Sequence, residues 1–300
     1  MNIIELKITQ RPENGFLGGP KHVDFTVCHG DASHKITIDQ LCERKIVITS
    51  LEGCPYKDTL DIYYTLETLL MLFDGQFYPV VSAFENDVEI TQSWNKRALP
   101  SYHSADFMIG TENKLFDFEL VLDDQLFEKW YTLKEELDLI HKMVLYCLSG
   151  VEMPKDMQCA FMVEAFSGVC ELIHKKKPGF SLPSVPKWDS ELRHYFLAVV
   201  NKYGSNIFDV ELTINKEKFA QVLVNSRNRI AHIKCKQGRT YLDGGESVMY
   251  LVKLSLLYRV VLFELLGISD NLYNDKLVAR IQVINKHDIM QEFLKKLAAL

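Results

Sequence analysis

The seven cysteines of this 300-residue chain (Cys28, Cys42, Cys54, Cys147, Cys159, Cys170 and Cys235) include no CxxC pair, and their number is odd. A disulfide framework is therefore not expected, and a reducing cytoplasm fits the pattern best. No secretory leader is expected either, because "MNIIELKITQ" alternates like a strand and lacks a basic start and an apolar core. A long uncharged apolar run is also missing. The nearest thing to one, "VMYLVKLSLLYRVVLFELLG" (248–267), carries Lys253, Arg259 and Glu264. Charges spread in that way predict a buried helix of a bundle, not a membrane span.

Several chemical devices are absent as well. "GFLGGP" (15–20) has neither the GxGxxG spacing nor the GK[ST] ending of a phosphate loop, and "AFSGV" lacks the first glycine of a nucleophile elbow. His22, His29 and His34 lie close in sequence, but strand and turn spacing gives them no defined metal face, so they read as surface histidines. Cys54 in "EGCPY" has no neighbouring group that would lower its thiol pKa. No metal and no cofactor is expected. A net charge of −6 argues against broad, salt-driven coating of nucleic acid.

The chain is nevertheless well supplied for folding. Its 47% hydrophobic and 25% charged residues are those of a globular protein, and its length allows two domains with cores of their own. Residues 1–124 read as short strands rich in Val, Ile and Phe: "NIIELKIT", "HVDFTV", "HKITI", "KIVITSL", "FYPVVSAF", "DVEIT" and "LFDFELVL". One helix, 59–75, interrupts them. From residue 125 the period changes to three and four, with stripes such as Leu126, Trp130, Leu133, Leu137, Ile140 and Val144. The expected fold is α+β: a β-rich, sandwich- or barrel-like N-terminal domain (1–124), then an all-α bundle of five or six helices (125–300).

One stretch stands out. "NSRNRIAHIK" (225–234) gathers two asparagines, two arginines and a histidine around an Ile-Ala pair. It lies in a locally positive segment, since Lys218–Leu242 contains Lys218, Arg227, Arg229, Lys234, Lys236 and Arg239 and no acid. On a helical wheel beginning at Phe219, the positions Leu223, Ser226, Ile230 and Ile233 share the core face, while Asn228 and His232 stack on the opposite one. Arg227 and Arg229 flank the apolar stripe. A histidine in this place also suits a helix C-terminal cap. The lysine run 175–177 lies in a proline-rich loop and reads as a solvated charge run.

"RNRIAH" is an Arg-x4-His motif with a polar residue directly after the arginine. Near the end of a bundle helix it resembles the signature of HEPN domains, many of which are metal-independent ribonucleases. The second half, with "VCELIH" (169–174) as a Glu-x-x-His pattern and the long apolar helix after the motif, looks like the HEPN domain of ApeA-type abortive-infection proteins. The first half resembles their β-rich N-terminal domain in layout only, and a sensor or regulatory role is one expectation for it. The chemistry casts His232 as general base or acid, because an imidazole titrates near neutral pH. Arg227 holds the phosphate through its planar fork, and Asn228 orients the imidazole or the substrate. Arg229 and Glu171 are supporting candidates, and Lys234, Lys236 and Arg239 are candidates for gripping RNA.

Arg227 and His232 are five residues apart, about 140° around an ideal helix, and so cannot converge on one phosphate. Either the helix ends or distorts between them, or two copies face each other. The resemblance implies the second, a homodimer with the motif helices at or near the two-fold axis. It also implies RNA (tRNA among the possibilities) as substrate, 2′,3′-cyclic phosphate and 5′-hydroxyl ends, and growth arrest in anti-phage defence under a phage trigger or an antitoxin partner. The alternative is a non-catalytic HEPN module that binds RNA, nucleotide or a protein.

Overall fold

The structure is a computed structural model that describes residues 2–9, 20–29, 32–40, 43–50, 56–75, 80–97, 114–148, 153–187, 189–233 and 237–300. Residues 15–19 of the glycine-rich stretch, 77–79 of "FYPVVSAF", and Cys42, Cys54 and Cys235 lie outside the described residues. The chain divides into two compact units, and the division falls inside one helix, between Glu136 and Leu137.

In the N-terminal unit the alternating runs form β1 (Asn2–Thr9), β2 (Lys21–His29), β3 (Ala32–Gln40), β4 (Glu43–Ser50), β5 (Val80–Glu85) and β6 (Val88–Glu89). All pair antiparallel in a single sheet of order β2-β3-β4-β1-β5-β6. The period of two sends Ile4, Leu6, Ile8, Val23, Phe25, Val27, Ile36, Ile38, Ile46 and Ile48 to one buried face. Among the described residues, helix α1 (Tyr56–Asp74) supplies a layer against this sheet.

Polar rows close both ends of that face. At one end Lys21, Gln40 and Arg44 stand opposite one another across three strands. Arg44 reaches Asp74 at the end of α1 (2.8 Å) and Gln40 (2.9 Å), and its guanidinium lies 5.0 Å from the Phe118 ring. At the other end are His29, His34 and Ser50. His34 is fully buried and not a surface histidine, because it occupies the core-facing register of β3. Burial, helped by nearby His29, holds its imidazole below the ordinary histidine range. His22 points the other way, 2.7 Å from Asp39, and is exposed.

Helix α3 (Asp124–Leu148) begins where the period changes. Its Trp130 donates to the Thr65 carbonyl (3.0 Å) and to Thr68 Oγ1 (3.2 Å) of α1. The run 115–122, expected as a strand, contains a 3-10 turn at Phe118–Leu120 instead. Its apolar residues Leu115, Phe116, Phe118 and Leu122 fill the core without pairing to an edge. Helix α2 (Thr91–Arg97), which periodicity did not announce, inserts fully buried Trp94.

The helical unit contains the end of α3, then α4 (Lys155–Lys176), α5 (Glu191–Tyr203), α6 (Ser205–His232), α7 (Gly244–Leu266), α8 (Asn274–Lys286) and α9 (Asp288–Ala298). That makes seven helices among the described residues against the five or six expected. The extra one is α8, whose apolar stripe is only Leu277, Ile281 and Ile284. Helix α7 is buried along most of its length, opens with a capping box of Asp243 and Glu246, and stops at Gly267 in the left-handed region (φ 79°). Around it the rings of Phe166, Phe196, Phe208, Phe219, Tyr250 and Phe293 touch in series, with centroids 5.0 to 6.3 Å apart. Cys147, Cys159 and Cys170 pack as small apolar residues, and burial raises the Cys147 and Cys170 thiols to about 12. No described helix is long and apolar enough to cross a membrane.

Lys253 of α7 is sealed from solvent with Glu211 of α6 at 2.5 Å, and Tyr250 donates to the same carboxylate oxygen at 3.0 Å. Glu211→Gln should lower the unfolding free energy in urea by about 3–5 kcal/mol by stranding the buried ammonium. Glu211→Leu combined with Lys253→Met should recover most of that loss. In the N-terminal unit, burial raises the Glu67 carboxyl from 4.5 to about 7. A raised folded pKa gives stability that is present below pH 4.5 and is lost as the pH rises through about 7. Glu67→Gln should therefore stabilise the protein at pH 8 but not at pH 4.5. The gain is bounded by about 3 kcal/mol, less what solvent screens at this partly exposed side chain.

Candidate functional site

Helix α6 is interrupted at Phe208 and again at Asn215 (φ −165°, ψ 87°). Asn215 then caps a fresh start, its Oδ1 accepting from Lys218 N at 3.1 Å. From there to His232 the backbone is helical throughout. Phe219, Ala220, Val222, Leu223 and Val224 fix this run in the core.

The polar knot at its end divides into two sets. Asn225 is buried, accepts from Gln221 (2.9 Å) and donates to the Thr240 carbonyl (3.3 Å). Ser226 accepts from Leu242 N at 2.8 Å, and Arg229 lies over the Tyr241 ring at 5.6 Å. These three hold the segment that returns to α7. Arg227, Asn228 and His232 are the others. Arg227 is half-buried, with Nε 2.5 Å from Glu164 Oε2 of α4 and Nη1 2.9 Å from Asn228 Oδ1. His232 is exposed at the last turn.

Because the helix neither ends nor distorts between them, Arg227 and His232 of one chain stay about 140° apart around it. Arg227 leans toward α4, and Asn228 is the residue joined to it. Ile233, expected on the core face, is 91% exposed. The helix stops one residue earlier, and Ile233 turns into the left-handed region (φ 47°, ψ 43°) as its cap. A β-branched residue there costs about 1–3 kcal/mol. Arg239 is exposed, and Lys234 and Lys236 lie outside the described residues.

In the Glu-x-x-His pattern, Glu171 is exposed on α4, while His174 Nδ1 meets the Phe180 carbonyl at 2.7 Å and so pins the loop after α4. Sequence reasoning missed Glu164, seven residues before Glu171, although an isolated acid between Asp156 and Glu171 in an apolar helix was a usable signal. It also missed the cluster in which Asp189 binds both Arg193 and His194, the latter at 2.8 Å. Arg193 also donates to Gln221 (3.4 Å), so this cluster abuts the polar side of α6.

The two sets predict different penalties. Asn225→Ala should cost about 1–3 kcal/mol in chemical denaturation, since it strands buried hydrogen-bond partners. Asn228→Ala, in the presented set, should cost under about 1 kcal/mol.

Residues 184–272 match the family model described as Apea-like HEPN. The match spans α5, α6 and α7 and includes Arg227, Asn228 and His232, whereas Glu164 and Glu171 precede it. No curated protein and no solved structure matches the chain. HEPN domains are often ribonucleases, and the match supports a nuclease-type or otherwise RNA-related role. Residues 184–272 of the helical part are thus similar to an Apea-like HEPN domain, with the exposed end of α6 inside the matched segment.

Proposed function

We propose that this protein is a metal-independent endoribonuclease of HEPN type that works as a homodimer, with the ends of two α6 helices lining one cleft. The observation that carries the reading is the continuous last stretch of α6, from Lys216 to His232, which presents Arg227, Asn228 and an exposed His232 while neighbouring Asn225 and Ser226 serve the fold. Cleavage by the 2′-hydroxyl needs a base, an acid and positive charge at the phosphate. One His232 takes the 2′-hydroxyl proton, and the 2′-oxygen attacks phosphorus. The bond to the 5′-oxygen then breaks, and the partner's His232 donates the proton that this oxygen takes up. Arg227 steadies the charge on the phosphate. The products are a 2′,3′-cyclic phosphate and a 5′-hydroxyl.

A dimer resolves the divergence of Arg227 and His232 on a single helix, because each phosphate can meet residues of both copies. In this reading the protein is a growth-arresting effector of anti-phage defence, acting on cellular RNA such as tRNA. A phage-derived trigger or an antitoxin restrains or releases it. A second reading, a non-catalytic module that binds RNA, nucleotide or protein, is favoured by the Glu164 carboxylate that already occupies Arg227 Nε.

Purified protein incubated with total RNA and tRNA in EDTA should leave cyclic-phosphate ends. His232→Ala should cut about 100-fold more slowly or worse. Equal cleavage by both would remove His232 from the mechanism. RNA bound but left intact by the wild type would favour the second reading.

A further inference from the structure

On the N-terminal unit, two carboxylates and an imidazole converge from separate elements. Asp58 and Asp61 are three residues apart in the first turns of α1 and therefore share a face. His29 is the last residue of β2, in the register of buried Val23, Phe25 and Val27. It therefore stands on the side of the sheet that α1 covers. One donor atom from each of His29, Asp58 and Asp61 lies within 4.8 Å of the other two. All three side chains are partly exposed. The His29 ring meets the edge of Tyr131 at 5.5 Å, which gives the group an aromatic wall. His34 is the diagonal neighbour of His29 across the β2–β3 pair, since His29 pairs with Ala32 and His34 with Val27.

We propose that His29, Asp58 and Asp61 form a binding site for one divalent transition-metal ion. The donor set of one imidazole nitrogen and two carboxylate oxygens suits such an ion. Three protein ligands with partial exposure leave further positions to water. Two carboxylates held this close repel each other, and a cation between them reverses that repulsion. The arrangement also has a mechanical meaning. Strand β2 is an edge of the sheet, so an ion held by His29 and by α1 would clamp that edge to the helical layer.

Cobalt(II) is a suitable probe because its visible spectrum separates nitrogen and oxygen ligands from thiolate. Titration of the full-length protein should give weak d–d bands that saturate at one ion per chain, without a thiolate charge-transfer band. Asp58→Asn and Asp61→Asn, whose folding is checked by melting, should each weaken binding at least about tenfold. His22→Ala, on the opposite face of the sheet, should leave binding unchanged. Failure to saturate, a thiolate band, or wild-type affinity in both Asp variants would each overturn the assignment.

Discussion

The buried pair of Lys253 and Glu211 is the constraint from which the helical unit is arranged. Neither side chain meets water. Burial holds the Lys253 ammonium below the ordinary lysine range, and Glu211 opposes that shift. The ammonium also faces the rings of Phe208 and Tyr250 at 5.3 and 5.9 Å. Glu211 sits between the two interruptions of α6, at Phe208 and Asn215. The pair thus fastens the irregular beginning of α6 to α7. With that end fixed, the regular run from Asn215 to His232 has one direction in which to extend.

At the far end of the run, polar residues adjacent in sequence serve different tasks. Asn225 and Ser226 satisfy backbone groups of the returning segment, which would otherwise be left without partners. Arg227 binds across to α4 and Asn228 binds Arg227. A helix turns by about 100° per residue, so four consecutive positions face four surroundings. This explains how a dense cluster of donors can be both structural and available.

Much of this was legible in the sequence. The change of period near residue 124, the charged positions within 248–267, and the Arg-Asn-x-x-x-His end of one helix all follow from spacing and residue type. What stayed hidden depends on tertiary packing. Ile233 fits the apolar stripe of an ideal helix, but the helix ends at His232, and a wheel carries no information about its own end. Run 115–122 has strand composition without a strand partner. Glu164 acquires meaning only when α4 packs against α6, and His34 only when the register of β3 places it inward. Likewise His29 gains carboxylate neighbours from residues about thirty positions away, which local spacing does not reveal.

Ile233 has a consequence for motion. Most helix caps in the left-handed region are glycine, which adopts it freely, whereas isoleucine must be held there. Here an apolar side chain is turned almost wholly to water and recovers little packing in return. The last turn of α6 is accordingly the weakest part of an otherwise firmly packed helix, and it opens at a lower free energy than the run behind it. Amide protons near His232 should exchange by local opening, and those around buried Leu223 only through wider unfolding of the unit. The imidazole therefore stands on a yielding tip carried by a rigid shaft, free to adjust its position without disturbing the core.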